Sequence, residues 1–228
     1  MDTAAKFFTP VFSTSCRACP RLANFLDEVK SEFPKYFAKP VPSFGADTPR
    51  LLIVGLAPGM HGANQTGRPF TGDHAGILLY ETLHKFGFAT QPTTVHPDSA
   101  FPNDVRADAK LKLINCRITN AVKCLPPGNK PETDEIKQCN GYLRSELAAL
   151  KKDTWILALG GVAHKAVLMA LDVKIKKFPF MHGAQYELPH GLKLIDSYHC
   201  SRYNTNTKRL TTPMFEEIFA TIKNQFNQ

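Results

Sequence analysis

Four short apolar runs, Leu51–Leu56, Leu113–Val122, Trp155–Leu159 and Leu192–Tyr198, constrain the fold more than any other feature of this chain. Each is short enough to be a strand and apolar enough to be covered on both faces. Helical patterns separate them. Ile77, Leu78, Leu83 and Phe86 follow the first run, and Ile136, Leu143, Leu147 and Leu150 follow the second. Val162–Leu171 follows the third. A last helix opens at Thr212–Pro213 and sets Phe215, Ile218, Phe219, Ile222 and Phe226 on one face. Strand–helix alternation of this kind predicts a mostly parallel four-stranded sheet between two layers of helices. A hairpin is expected over Phe178–Pro189, with His182-Gly183 at its turn.

The 228 residues fit one domain. Residues 1–49, rich in Pro and Phe, read as an N-terminal arm with one helix near Leu22–Val29. No apolar run approaches the roughly 20 residues of a membrane span. Met1–Pro10 lacks the basic and apolar regions of a signal peptide, so a cytoplasmic protein is expected. Lys and Arg outnumber Asp and Glu by 28 to 20, a formal +8 that favours a polyanionic partner.

In an open α/β sheet, ligands sit beyond the carboxyl ends of the strands. The first run ends in Gly55-Leu56-Ala57-Pro58-Gly59, and the second in Thr119-Asn120-Ala121-Val122-Lys123-Cys124. The third ends in Gly160-Gly161, and the fourth in His199-Cys200-Ser201-Arg202-Tyr203-Asn204. Small residues, an amide and an imidazole therefore converge on one rim. The glycines are not a phosphate loop: their spacing is wrong, Pro58 lacks an N–H, and no Gly-Lys-Ser/Thr ending follows. The long polar stretch from His61 to Asp73 that follows is of the kind that carries function. Asp73 directly precedes an apolar run and fits a helix N-cap.

Six cysteines in an unsecreted chain point to metal or buried thiols before disulfides. Cys16 and Cys19 form a CxxC, and Cys124 and Cys139 follow the second run. Four such thiols can hold either a tetrahedral zinc or a [4Fe–4S] cluster, and the spacing leaves both open. Cys116 falls inside a strand and reads as core; Cys200 is not counted as a ligand.

The blocks GLAPG, HGANQTGRPFTGD, ITNAVKC and HCSRYN together resemble the uracil-DNA glycosylase superfamily, most of all its iron–sulfur family 5. The matching blocks run from Cys16 to about Leu210. The resemblance implies an α/β/α sandwich and a [4Fe–4S] cluster on Cys16, Cys19, Cys124 and Cys139. It also implies hydrolysis of the bond between uracil, or another deaminated base, and deoxyribose. Phe70 would be the stacking wall for a base flipped out of DNA, and Asn120 the amide reading uracil. His199 would stabilise the departing base. Gly55, Ala57, Pro58, Gly59, His61 and Arg202 would complete the substrate contacts. Other branches carry an acidic or polar residue at the second or third position of the first motif; here Leu56 and Ala57 stand there, and Asp73 takes the water-holding role. Lys123 and Arg21 are expected to balance the cluster's charge. Arg68, Lys123, Lys165, Lys208 and Arg209 are candidates for a phosphate groove, and Arg202 with Tyr203 for a wedge. The partner is uracil-containing DNA, and the protein is expected to be monomeric. Two rivals remain at this point: a catalytically silent iron–sulfur nucleic-acid-binding protein, and a zinc-stabilised nucleoside hydrolase.

Overall fold

The computed structural model describes residues 11–92 and 110–226; the expectation for Met1–Pro10 lies outside them. Its centre is one sheet in the order β1-β3-β2-β4-β6-β5. The strands are β1 (Phe44–Gly45), β2 (Leu51–Gly55), β3 (Cys116–Asn120), β4 (Trp155–Leu159), β5 (Gln185–Glu187) and β6 (Lys193–Ser197). The inner four, β3-β2-β4-β6, are the four expected strands and run parallel. The expectation of four strands is corrected to six among the described residues. Short β1 and β5 pair antiparallel on the two edges.

Helix α1 (Pro20–Glu32) lies in the N-terminal arm. Short α2 (Ala63–Thr66) and longer α3 (His74–Lys85) follow β2. Helices α4 (Thr133–Ala148) and α5 (Gly161–Ala170) follow β3 and β4. After β6 come α6 (Arg202–Asn206) and α7 (Thr212–Phe226).

Alternation along the strands explains the two outer layers. Leu51, Ile53, Ile118 and Leu157 face one way and pack with Leu79, Leu83, Phe215 and Phe219 of α3 and α7. Leu52, Val54, Ile156 and Leu194 face the other way and meet Leu143, Leu147, Ala163 and Val167 of α4 and α5. β2 and β4 are apolar on both sides because each side is covered, whereas β3 alternates Cys116 and Ile118 with Arg117 and Thr119. A third apolar cluster joins Leu22, Leu26 and Val29 of α1 to Val122, Cys124 and Cys139, with Ala57 and Met60 packed against it. The arm is thus fastened to the sheet's rim.

The expected hairpin at Phe178–Pro189 is displaced. β5 pairs with β6, and the reversal between them is the tight turn Pro189–Gly191. His182-Gly183 instead leads into β5, with the Gly183 N–H donating to the Asp196 carbonyl at 2.8 Å.

Candidate functional site

β2, β3 and β6 end on the same rim, and beyond them opens a cavity of about 590 Å³. Ala57, Gly59, His61, Phe70, Asp73, Asn120, His199 and Arg202 all line it. Pro58 does not; it is buried behind the loop. Gly55 lies beneath the cavity. A Cβ there would overlap Asn120 Oδ1 and come within 2.7 Å of the Phe70 ring, so the glycine is what lets amide and ring lie against the strand.

Phe70 is buried and holds a backbone φ of +53°, a conformation that a bulky residue adopts only when its surroundings impose it. Its ring stacks on His199, with centroids 5.8 Å apart and planes at 27°. Burial pulls the His199 imidazole down to about 4, so the ring is neutral at neutral pH. Asn204 Nδ2 donates to the His199 carbonyl at 2.8 Å and fixes the turn that carries it. Asn120 is 3% exposed, and its Oδ1 has no hydrogen-bond partner. An orphaned buried acceptor costs about 1–3 kcal/mol unless a ligand donor satisfies it.

Asp73 caps α3: its Oδ1 accepts from the Gly76 N–H at 2.9 Å. Its other oxygen, Oδ2, lies over Gly59 and Gly62, where a Cβ on Gly62 would come within 2.9 Å of the carboxyl carbon. Burial raises its proton affinity above the ordinary aspartate value, more than the cap's N–H donors lower it. Among the described residues that line the cavity, Asp73 is the one carboxylate.

The sequence reading did not single out His74, Met60, Asn129 or Ser201, which also line the cavity. His74 Nε2 lies 3.3 Å from Thr205 Oγ1, tying α3 to α6. His74 stands next to Asp73, but nothing in the spacing points to its partner 131 residues away.

The four thiols come together. Cys16, Cys19, Cys124 and Cys139 line a second pocket with Phe12, Leu22, Val122 and Tyr142, and its described lining holds no carboxylate or imidazole. Two donors already address the sulfurs: Tyr142 O–H to Cys16 Sγ at 3.3 Å, and the Lys123 N–H to Cys139 Sγ at 3.3 Å. Burial raises the Cys19 thiol above its ordinary value. Burial, and then the neighbouring thiols, push Cys124 up to about 12, and burial pushes Cys139 up to about 11. Among the described residues, no three His, Cys, Asp or Glu side chains close on a position for a single metal ion. Cys116 and Cys200 are fully buried in the apolar cluster on the α3–α7 face.

Several basic residues do other work than expected. Lys123 is 2% exposed; its Nζ pairs with Glu146 at 2.6 Å and also donates to Thr119 Oγ1, so it is not a phosphate ligand. Arg21 makes a two-pronged pair with Glu135, both contacts at 2.8 Å, and so balances that carboxylate. Half-buried Arg68 donates to Thr71 Oγ1 at 2.8 Å and lies over Phe44 and Tyr80. Lys165, Lys208 and Arg209 are exposed, as are Arg202 and Tyr203. Exposed Ile175–Lys177 forms a single tight turn. His164 is a core residue, its Nδ1 2.8 Å from Asp196 Oδ1 and its Nε2 2.8 Å from the Phe178 carbonyl.

The chain is 42% identical to a type-5 uracil-DNA glycosylase of Thermus thermophilus over 92% of its own length and 93% of the relative's. It is 41% identical to a type-5 enzyme of Mycobacterium leprae, covering 91% and 90%. A type-4 uracil-DNA glycosylase of Archaeoglobus fulgidus is more distant, 28% identical over 81% and 76%. No helix among the described residues is long and apolar enough to cross a membrane. Residues 42–223 match the model of the uracil DNA glycosylase superfamily, and this chain belongs to that family.

Proposed function

We propose that the chain is a monofunctional DNA glycosylase of base excision repair, a single domain that flips uracil out of DNA and hydrolyses its N-glycosidic bond. The observation that carries this reading is Asn120 Oδ1, a buried acceptor without a partner at the foot of the Phe70 face. Uracil offers the missing group. Its N3–H donates to Oδ1 and its O4 accepts from Nδ2, while its ring lies on Phe70. Cytosine has no proton at N3 and would leave Oδ1 orphaned, which is a specific reason for rejection.

The chemistry follows from the other walls. Breaking the bond sends negative charge into the base and positive charge onto the sugar. A neutral His199 can donate an N–H to the base oxygen where that charge develops, and it needs no proton from solvent to do so. Asp73 is held at Oδ1 by the α3 cap, which leaves Oδ2 to accept a proton from the attacking water. Ala57, Gly59, His61 and Arg202 shape the mouth through which the nucleotide enters.

Cys16, Cys19, Cys124 and Cys139 would hold a [4Fe–4S] cluster. The donor set fits it: four thiols around one apolar pocket, two of their sulfurs already receiving hydrogen bonds. Bound there, the cluster would cross-link the arm to the segment after β3, and it has no part in the hydrolysis. Free thiols and a labile cluster suit a reducing, cytoplasmic compartment. Each chain carries a complete pocket, which supports action as a monomer on DNA.

The test is release of base from otherwise identical duplexes containing uracil, hypoxanthine, cytosine or thymine, read by alkaline cleavage at abasic sites. Cleavage at uracil and none at cytosine is expected. Binding to all four with no cleavage would establish the silent DNA-binding protein instead.

A further inference from the structure

Helix α1 ends in an aromatic pair. Phe33 and Tyr36 stack with centroids 4.6 Å apart and planes at 19°, and Lys30 Nζ donates to the Tyr36 carbonyl at 2.5 Å. The chain then runs along α2, where the Phe37 and Ala38 N–H groups donate to the carbonyls of Gln65 and Asn64 at 3.0 and 2.9 Å. The arm is therefore stitched to the loop that forms one wall of the cavity. The stitch continues in side chains. Tyr36 Oη lies 2.8 Å from His61 Nδ1, and the imidazole stands edge-on to both Phe33 and Tyr36, at 83° and 87°.

His61 is exposed, yet its ring is held by three contacts. Holding an exposed side chain still costs rotamer entropy and returns little unless the side chain meets something. Taking Tyr36 O–H as the donor in this contact puts the proton of the neutral imidazole on Nε2 and makes Nε2 a hydrogen-bond donor. His61, in the loop after β2, and Arg202, at the start of α6 after β6, are both exposed and both line the cavity, so they stand at its mouth. The only carboxylate among the described lining residues is Asp73, whose Oδ1 is engaged by the cap. A group that meets a fixed N–H donor at the mouth of a pocket for a flipped nucleotide is a backbone phosphate.

We propose that His61, oriented by Tyr36 of the N-terminal arm, is a phosphodiester-binding residue at the cavity mouth, with Tyr36 its positioning residue. The proposal rests on the reading of the cavity as a nucleotide site, and its test keeps the two apart. Binding is measured on uracil-free duplex, and KM and kcat on the uracil duplex. Binding to uracil-free duplex tests the phosphate contact whether or not any base is released.

His61→Ala should weaken binding to uracil-free duplex by about tenfold, the loss of one hydrogen bond to a charged group. Tyr36→Phe keeps the ring and its stack on Phe33 and should weaken binding by about threefold. In the His61→Ala background, Tyr36→Phe should cost nothing further, because there is no imidazole left to orient. In turnover the losses should fall on KM. Wild-type affinity for uracil-free duplex in both variants would overturn the proposal. So would losses that multiply in full, or a fall in kcat with KM unchanged, which would place His61 at the base instead.

Discussion

Replacing Asp73 by asparagine separates its two jobs. Oδ1 caps α3 through Gly76 at 2.9 Å, a contact of the kind worth about 0.5–2 kcal/mol, and asparagine caps equally well. Oδ2 faces the glycines of the loop, and there asparagine sets an amide that cannot take a proton from water. Removing a general base of this kind slows the reaction by roughly 10²–10⁴-fold, about 2.7–5.4 kcal/mol of barrier. Stability should move the other way. Burial raises the folded-state proton affinity of Asp73 above its unfolded value, so ionising it disfavours the fold at neutral pH, and that penalty vanishes below the unfolded pKa. The variant should therefore be at least as stable as wild type at pH 7, with the difference narrowing as the pH falls toward 4. The same shift should put the acid limb of the wild-type rate profile above the ordinary carboxylate range. The assays are single-turnover release of uracil from a duplex and thermal melting at two pH values. Full cleavage by Asp73→Asn would show that Asp73 is a cap alone, and that the water is held by backbone in the Gly55–Gly62 turn.

Gly55→Ala should push Phe70 and Asn120 off β2, cutting uracil release by about 10²-fold through misplacement and costing about 1–3 kcal/mol by overpacking. Unchanged kinetics would show that the ring and the amide are not set by their approach to the strand. The anaerobically purified protein should be brown, with about four iron and four sulfide per chain, and Cys139→Ala should bleach it and lower its melting temperature. Stoichiometric zinc without sulfide would refute the cluster.

The inner strands were legible because each is a short run with an apolar core, β2 and β4 apolar on both faces, and each ends in small or polar residues, a signal that survives without tertiary knowledge. β1 was not legible. It is two residues long, and its register, Phe44 opposite Ile118, is a long-range contact with no local period. The hairpin was misplaced because His182-Gly183 looks like a turn, whereas Pro189-His190-Gly191 makes one. At the site, the motif blocks contain Ala57, Gly59, His61, Phe70, Asp73, Asn120, His199 and Arg202, which strand ends and their loops bring to one rim, but not Met60, His74 or Asn129. Two of the basic residues, Lys123 and Arg68, differ from the expectation for the opposite reason. Whether Lys123 meets DNA or Glu146, and whether Arg68 faces solvent or Tyr80, is decided by partners distant in sequence. Tyr36 was invisible for the same reason, 25 residues from the histidine that it orients.

The absence of an acid at Leu56 and Ala57 looks like a lost catalyst only when the first motif is read by itself. In three dimensions the loop after β2 is shaped to receive an acid from elsewhere. Gly62 has no Cβ where the carboxyl group of Asp73 lies, and Oδ2 sits in ordinary contact distance of Gly59. A side chain at position 62 would expel the carboxylate, so Gly62 and Asp73 form one unit, although they stand eleven positions apart in sequence. Bringing the acid in at a helix N-cap also fixes its direction. One oxygen is spent on the backbone of α3, and the other can point only toward the loop and the cavity. The cap and the burial then oppose each other in setting its proton affinity, and burial prevails. That balance gives a carboxylate more basic than one in water, which is the direction a group that must draw a proton from water requires.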